Sequence, residues 1–159
     1  MPSPNSLPSS LPEATDPAQT PPGFVAVPMG GGFIAANGPL YLLHRDAEVK
    51  LGFRVEPRHC NPMGMCHGGM LASFCDMLLP VTAHRVASEV GQRFLPTVSL
   101  QIDYLAPVPL GAWVEGEAQV LKLTRSMVFM QGLVRADGLP AARCSGVFKI
   151  GPRYPDDAA

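Results

Sequence analysis

The sequence predicts an α+β fold, a curved antiparallel sheet wrapped around one long buried helix. Three observations carry that expectation. Val98, Leu100, Ile102 and Tyr104 alternate with Thr97, Ser99, Gln101 and Asp103, the period-two signature of a half-buried strand, and three later segments repeat it. A single stretch, Gly68 to about Val90, is long and apolar nearly all round, with no turn signal except Pro80. Short connections of Gly, Pro, Asn and Asp punctuate the rest.

Taken in order, residues 1–22 hold seven of the 18 prolines and almost no large apolar side chain, so they read as an extended arm. The folded unit is expected to span residues 23–152, with 153–159 as a tail; 159 residues suit one domain. Phe33 to Leu43 contains two short apolar runs around Asn37-Gly38-Pro39, which predicts a hairpin. A third strand follows near Ala47 to Val55. After the helix come strands around Thr97–Tyr104, Val114–Val120, Met127–Val134 and Ala142–Ile150. Their spacing, and the Asp137-Gly138 turn, predict a four-stranded antiparallel meander. The helix, apolar on every side, is expected to be covered on every side.

Composition excludes several classes. A net charge of −1 and a pI near 6.4 do not supply the basic face that nucleic acid requires. No window reaches the roughly 18 apolar residues of a membrane span, and the start lacks a basic-then-apolar leader, so a soluble cytoplasmic protein is expected. The four cysteines, Cys60, Cys66, Cys75 and Cys144, are too few for a disulfide framework and are read as reduced. His59-Cys60 and Cys66-His67 do not have structural-zinc spacing, so no metal is expected. Only 16% of residues are charged, which points to a surface covered by another subunit or one rich in uncharged polar residues.

Chemistry concentrates around the helix. Between Arg58 and Arg85 the only formally charged side chain is Asp76, in the most apolar part of the chain. A carboxylate is costly there unless it is partnered or used. Just upstream lies Asn61-Pro62-Met63-Gly64-Met65-Cys66-His67-Gly68-Gly69. Its glycines, Gly68 and Gly69, permit close approach to the backbone, and the first N–H groups of a helix have no internal partner and suit an oxyanion. Eight residues separate Gly68 from Asp76, about 12 Å along a helix axis. If both serve one reaction, Asp76 must come from a second copy of the chain, as a two-fold homodimer allows. Pro80 removes the N–H that would bond the Asp76 carbonyl and is expected to bend the helix.

Asn61, His67-Gly68-Gly69, Asp76 and the strand Thr97 to Pro107 together resemble the hotdog-fold acyl-CoA thioesterases of the phenylacetate-pathway (PaaI-like) type, over most of residues 30–151. The resemblance implies a hotdog dimer, often paired into tetramers, that hydrolyses acyl-coenzyme A without a further cofactor. It implies that Gly68 donates its N–H to the thioester carbonyl, that Asn61 positions water or the carboxylate, and that His67 supports the loop and the carbonyl site. Asp76 of the partner would be general base or nucleophile. Thr97 would hold the water, with Ser99 as the fallback on the same side of the strand. Met70, among other methionines, is a candidate to line an acyl pocket, and Lys122, Arg125 and Arg143 to meet coenzyme A phosphates. Two alternatives remain open at this stage: a non-catalytic acyl-CoA-binding sensor and a hotdog enoyl-CoA hydratase.

Overall fold

In the computed structural model, which describes residues 20–28 and 32–155, seven strands form one antiparallel sheet against a single long helix. Most of the 1–22 arm and the last four residues of the tail lie outside the described residues. The elements are β1 (Val25–Val27), α1 (Gly32–Asn37), β2 (Leu40–Arg45), β3 (Glu48–Arg54), α2 (Gly68–Val86), β4 (Thr97–Tyr104), β5 (Trp113–Leu123), β6 (Met127–Ala136) and β7 (Leu139–Lys149). Spatial order is β1-β2-β3-β5-β6-β7-β4. No helix among the described residues is long and apolar enough to cross a membrane.

Inward positions of the strands meet one face of α2. Phe53, Val114, Met130 and Phe148 from the sheet pack with Phe74, Leu78 and Leu79 from the helix, all essentially without solvent exposure. Close approach depends on small residues beneath the helix. A Cβ added at Gly116 would lie 2.5 Å from the Leu78 side chain, and one at Gly146 would lie 2.8 Å from that of Leu79. The helix runs unbroken through Pro80 and ends at Val86, short of the expected Val90. Its cover is one-sided: Ala72, Ser73, Asp76, Met77, Pro80 and Val81 are only half-buried and Val86 is exposed.

Two expectations are corrected. The first apolar run of the predicted hairpin is the short helix α1, and only Leu40–Arg45 is strand. Tertiary contacts decide it: Arg58 donates to the carbonyls of Ala36 and Gly38, and the Asn37 carbonyl meets Nε2 of His59 at 2.9 Å. A short apolar run carries no periodicity that separates helix from strand. The four-strand meander is also reduced to three, because β4 pairs with β7 at the sheet edge instead of with β5. The segment Leu105–Gly111 between β4 and β5 is a crossover. It is tied by Leu105 N–H to the Ala141 carbonyl, by the Val108 carbonyl to Cys66 N–H, and by Gly111 N–H to the Val55 carbonyl. Pro107 and Pro109 lack the donors that a strand ladder needs.

Candidate active site

The segment entering α2 is built from backbone pairings. A short 3₁₀ turn, Pro57–His59, leads into Cys60, which is bridged to Cys66 across the loop. Within that loop the Asn61 Oδ1 accepts the N–H groups of Met63 (2.9 Å) and Met65 (3.2 Å), and Gly64 takes a φ of +73°, a conformation that suits glycine. Outside the loop, Cys66 N–H donates to the Val108 carbonyl and Leu110 N–H to the Gly64 carbonyl, so the crossover braces the loop from below. Asn61 thus commits its oxygen to loop geometry, and its amide NH₂ is the group left for anything beyond the loop.

His67 is the N-cap of α2, in extended conformation, and its Nδ1 accepts the Gly69 N–H at 2.8 Å. A neutral ring accepting at Nδ1 carries its proton on Nε2, which makes Nε2 a donor. The His67 carbonyl takes the N–H groups of Met70 and Leu71. What remains is the Gly68 N–H, which has no partner among the described residues, as expected at the first helical position. The Gly68 carbonyl accepts the Tyr104 hydroxyl at 2.8 Å.

Two helical turns further on, Thr97 Oγ1 donates to Asp76 Oδ1 at 2.6 Å. The N-terminal half of the helix is therefore fastened to the two ends of β4, by Tyr104 at Gly68 and by Thr97 at Asp76. A β-bulge makes the second contact possible. Thr97 stands opposite Phe148, whereas Ser99 stands opposite Val147, so Val98 is the extra residue and the strand's parity changes between them. Thr97 faces the helix with Phe148; Ser99 is turned to the other, exposed face. The shared side expected of Thr97 and Ser99 is thereby corrected.

The remaining candidates spread out. Gly69 is exposed, with its N–H engaged by His67. Met70 is buried, and with Ile34, Leu40, Ser73 and Phe74 it lines a void of about 10 Å³ between α1 and α2. Lys122 and Arg125 are exposed on the β5–β6 hairpin, whose tip accepts the Ile150 N–H at the Ser126 carbonyl; next to Ile150, Lys149 N–H of β7 donates to the Pro96 carbonyl just before Thr97. Arg143 instead pairs with Asp103 at 2.6 Å on the outer face. Gly68 and Asp76 of one chain are not brought together. A cavity of about 730 Å³, bounded in part by Thr82, Gln101, Gln131 and Arg143, includes none of the loop or Asp76 and lies apart from this chemistry. Among the described residues no three His, Cys, Asp or Glu side chains gather to hold a metal ion.

Nucleophilic use of Cys75, beside Asp76, is disfavoured. It is fully buried and its thiol is raised well above the ordinary value, first by its hydrogen bond to Cys144 and then by burial. Two residues that matter were not singled out from sequence. Tyr104 was named only as one of the alternating residues of its strand, although its inward parity with Leu100 and Ile102 was the available signal. His59 was considered only as a metal ligand. It is 3% exposed, Nδ1 accepting from Glu56 N–H at 3.0 Å and Nε2 donating to the Asn37 carbonyl, and its own carbonyl receives the His67 N–H.

Burial above all lowers the His59 pKa from its ordinary 6.5. The native state then binds fewer protons than the unfolded state, so this stabilisation is present above about pH 6.5 and is lost as pH falls toward the depressed native value. Thermal denaturation at pH 7.5 and pH 5.5 is expected to show a lower midpoint at pH 5.5, with the difference shrinking in His59→Gln. An unchanged difference in that variant assigns the effect elsewhere.

The architecture of the described residues, one long helix in the curve of an antiparallel sheet, is the hotdog fold. A family model described as "Thioesterase superfamily" matches residues 63–141. A Pseudomonas aeruginosa protein named Putative esterase PA0474 is 30% identical over 132 residues, covering 82% of this chain and 96% of that protein. A mutant of the phenylacetic acid degradation protein PaaI from Thermus thermophilus superposes with a TM-score of 0.63 at 25% identity, covering 74% of this chain and 96% of the other. A hypothetical thioesterase from Streptococcus pneumoniae TIGR4, solved with coenzyme A, gives 0.63 at 22% identity, covering 76% and 93%. The chain belongs to the thioesterase superfamily, and thioester hydrolysis is the class of chemistry that this membership carries.

Proposed function

We propose that the protein hydrolyses acyl-coenzyme A thioesters at sites shared between two copies of the chain. The observation that carries this reading is the Thr97–Asp76 hydrogen bond on a helix whose first N–H, at Gly68, is unpartnered among the described residues. The N-terminus of the helix offers a donor to a carbonyl that becomes an oxyanion; its middle offers an oriented carboxylate. About 12 Å of helix between them favours one group from each of two chains. A second copy also has a surface to meet. Edge strand β4 leaves Val98 57%, Tyr104 53% and the adjoining Leu105 52% exposed, next to the half-covered face of α2. Two such dimers forming a tetramer is compatible with the same reading.

In the mechanism, the thioester carbonyl accepts the Gly68 N–H, with the Asn61 amide and the His67 Nε2–H as the neighbouring donors. Asp76 of the second copy, its Oδ1 held by Thr97, takes the proton of an attacking water through Oδ2 or attacks the carbonyl itself. Collapse of the tetrahedral intermediate breaks the C–S bond. The coenzyme A thiolate leaves and is protonated; after attack by water the free acid is the other product, and after attack by Asp76 it is an acyl–Asp76 anhydride, which a water then hydrolyses to the free acid and the carboxylate. Lys122, Arg125 and Lys149, clustered by the hairpin tip near the start of β4, supply positive charge for coenzyme A phosphates. The Streptococcus pneumoniae structure shows that this architecture accommodates that ligand in that protein.

The test is thiol release across a panel of aromatic, short-chain and medium-chain acyl-CoA compounds. At least one class is expected to turn over. No release from any of them, with tight acyl-CoA binding, would instead make the protein a binding module. Hydration of a crotonyl-type substrate without hydrolysis would favour the hydratase.

A further inference from the structure

Cys60 and Cys66 flank the Asn61–Met65 loop, and the hydrogen bonds around them fix their relation. Asn61 N–H donates to the Met65 carbonyl at 2.8 Å, and His67 N–H to the His59 carbonyl at 2.7 Å. These two bonds straddle the bridge between Cys60 and Cys66. That pattern defines the non-hydrogen-bonded pair of an antiparallel ribbon, in which Cα atoms stand about 4.5 Å apart and both side chains leave on the same face. Disulfides span Cα separations of about 4.4–6.8 Å, so the backbone already meets the requirement. Their side chains share an environment as well, Cys66 in the core and Cys60 half-buried against it.

We propose that Cys60 and Cys66 are an oxidisable dithiol, a modification site for low-molecular-weight disulfides, whose closure to an intramolecular disulfide slows hydrolysis. The more exposed Cys60 reacts first: its thiolate attacks the reagent RSSR, forming Cys60–S–SR and releasing one RSH. The Cys66 thiol then attacks the Cys60 sulfur, loses its proton and expels the second RSH. Two thiols are oxidised and one external disulfide is reduced to two thiols. Burial raises both thiols, Cys66 to about 12 with the neighbouring Cys60 adding to it, so the pair is slow to react at neutral pH and faster in mild alkali. Closure requires Cβ atoms about 3.8 Å apart, whereas facing pairs stand about 4.5–5.5 Å apart. The ribbon must pinch by about 1 Å. Asn61 and His67 are the immediate neighbours of the two cysteines and move with it. The loss of hydrolysis rests on the function proposed above; the disulfide itself does not.

The sequence supplies a clean assay. Cleavage after methionine separates all four cysteines, with Cys60 in fragment 30–63, Cys66 in 66–70, Cys75 in 71–77 and Cys144 in 131–159. The full chain, incubated with oxidised glutathione at pH 8.5 and then cleaved without reduction, is expected to yield 30–63 joined to 66–70. Hydrolysis is expected to fall roughly tenfold or more and to return with dithiothreitol. Cys60→Ser is expected to hydrolyse normally and to resist the oxidant. A glutathione adduct on Cys60 with no joined fragments, a link between other cysteines, or no reaction overturns the proposal. A Cys60–Cys66 link with undiminished hydrolysis overturns its regulatory part. A link in a protein that hydrolyses no acyl-CoA even when reduced refutes the proposed function and leaves the dithiol standing.

Discussion

Asp76→Asn is expected to lower acyl-CoA turnover about a thousandfold while the protein folds normally, the size of effect typical when a general base or nucleophile is lost. The substitution is isosteric and its amide oxygen still accepts the Thr97 hydroxyl, so the 2.6 Å contact between α2 and β4 survives. What is removed is the capacity to take a proton or to attack. Because the Thr97 contact is kept and Asp76 is only half-buried, the variant is expected to melt at nearly the same temperature. Thiol-release kinetics beside a denaturation curve check both halves. Activity within a few-fold of the parent would remove Asp76 from the chemistry, whatever its surroundings.

That carboxylate was legible in the sequence because charge is costly inside an apolar helix, and the helix was legible because no strand stays apolar for so long. The inward parity of β3 and β5–β7 was equally plain from alternation. Other features depended on partners far away in the chain. Nothing local in Phe33–Asn37 separates helix from strand; Arg58 and His59, more than twenty residues on, settle it. The placement of β4 next to β7 follows from where Leu100 and Ile102 find Gly146 and Cys144 to face, information that alternation within one strand does not hold. The bulge at Val98 is one inserted residue, and it reverses the reading of Ser99 while leaving Thr97 in place. Tyr104 and His59 act through hydrogen bonds to backbone atoms, which composition cannot register. The loop from Asn61 to His67 was visible as a cluster of unusual residues, but the pairing of Cys60 with Cys66 needed the ribbon's hydrogen bonds.

Gly68→Pro isolates the other half of the site. Proline is tolerated at the first helical position, where the N–H has no helical partner, and it requires an extended residue before it. His67 already has φ −63° and ψ 138°. The new Cβ would meet the Tyr104 ring at 3.4 Å, an ordinary contact. The helix should therefore form, with the donor to the oxyanion replaced by the ring Cδ, which also crowds the place of the oxyanion, and turnover is expected to fall about 10²–10³-fold or more. Each variant alone is then nearly inactive for a different reason, which allows a decisive mixture. If every site takes Gly68 from one chain and Asp76 from another, a dimer of one Gly68→Pro chain and one Asp76→Asn chain contains one site damaged twice and one site intact. Co-refolding equal amounts makes such heterodimers about half of the population, so roughly a quarter of the parent activity is expected to return. If both groups of a site came from the same chain, every site in the mixture would carry one defect, and no activity would return at any ratio.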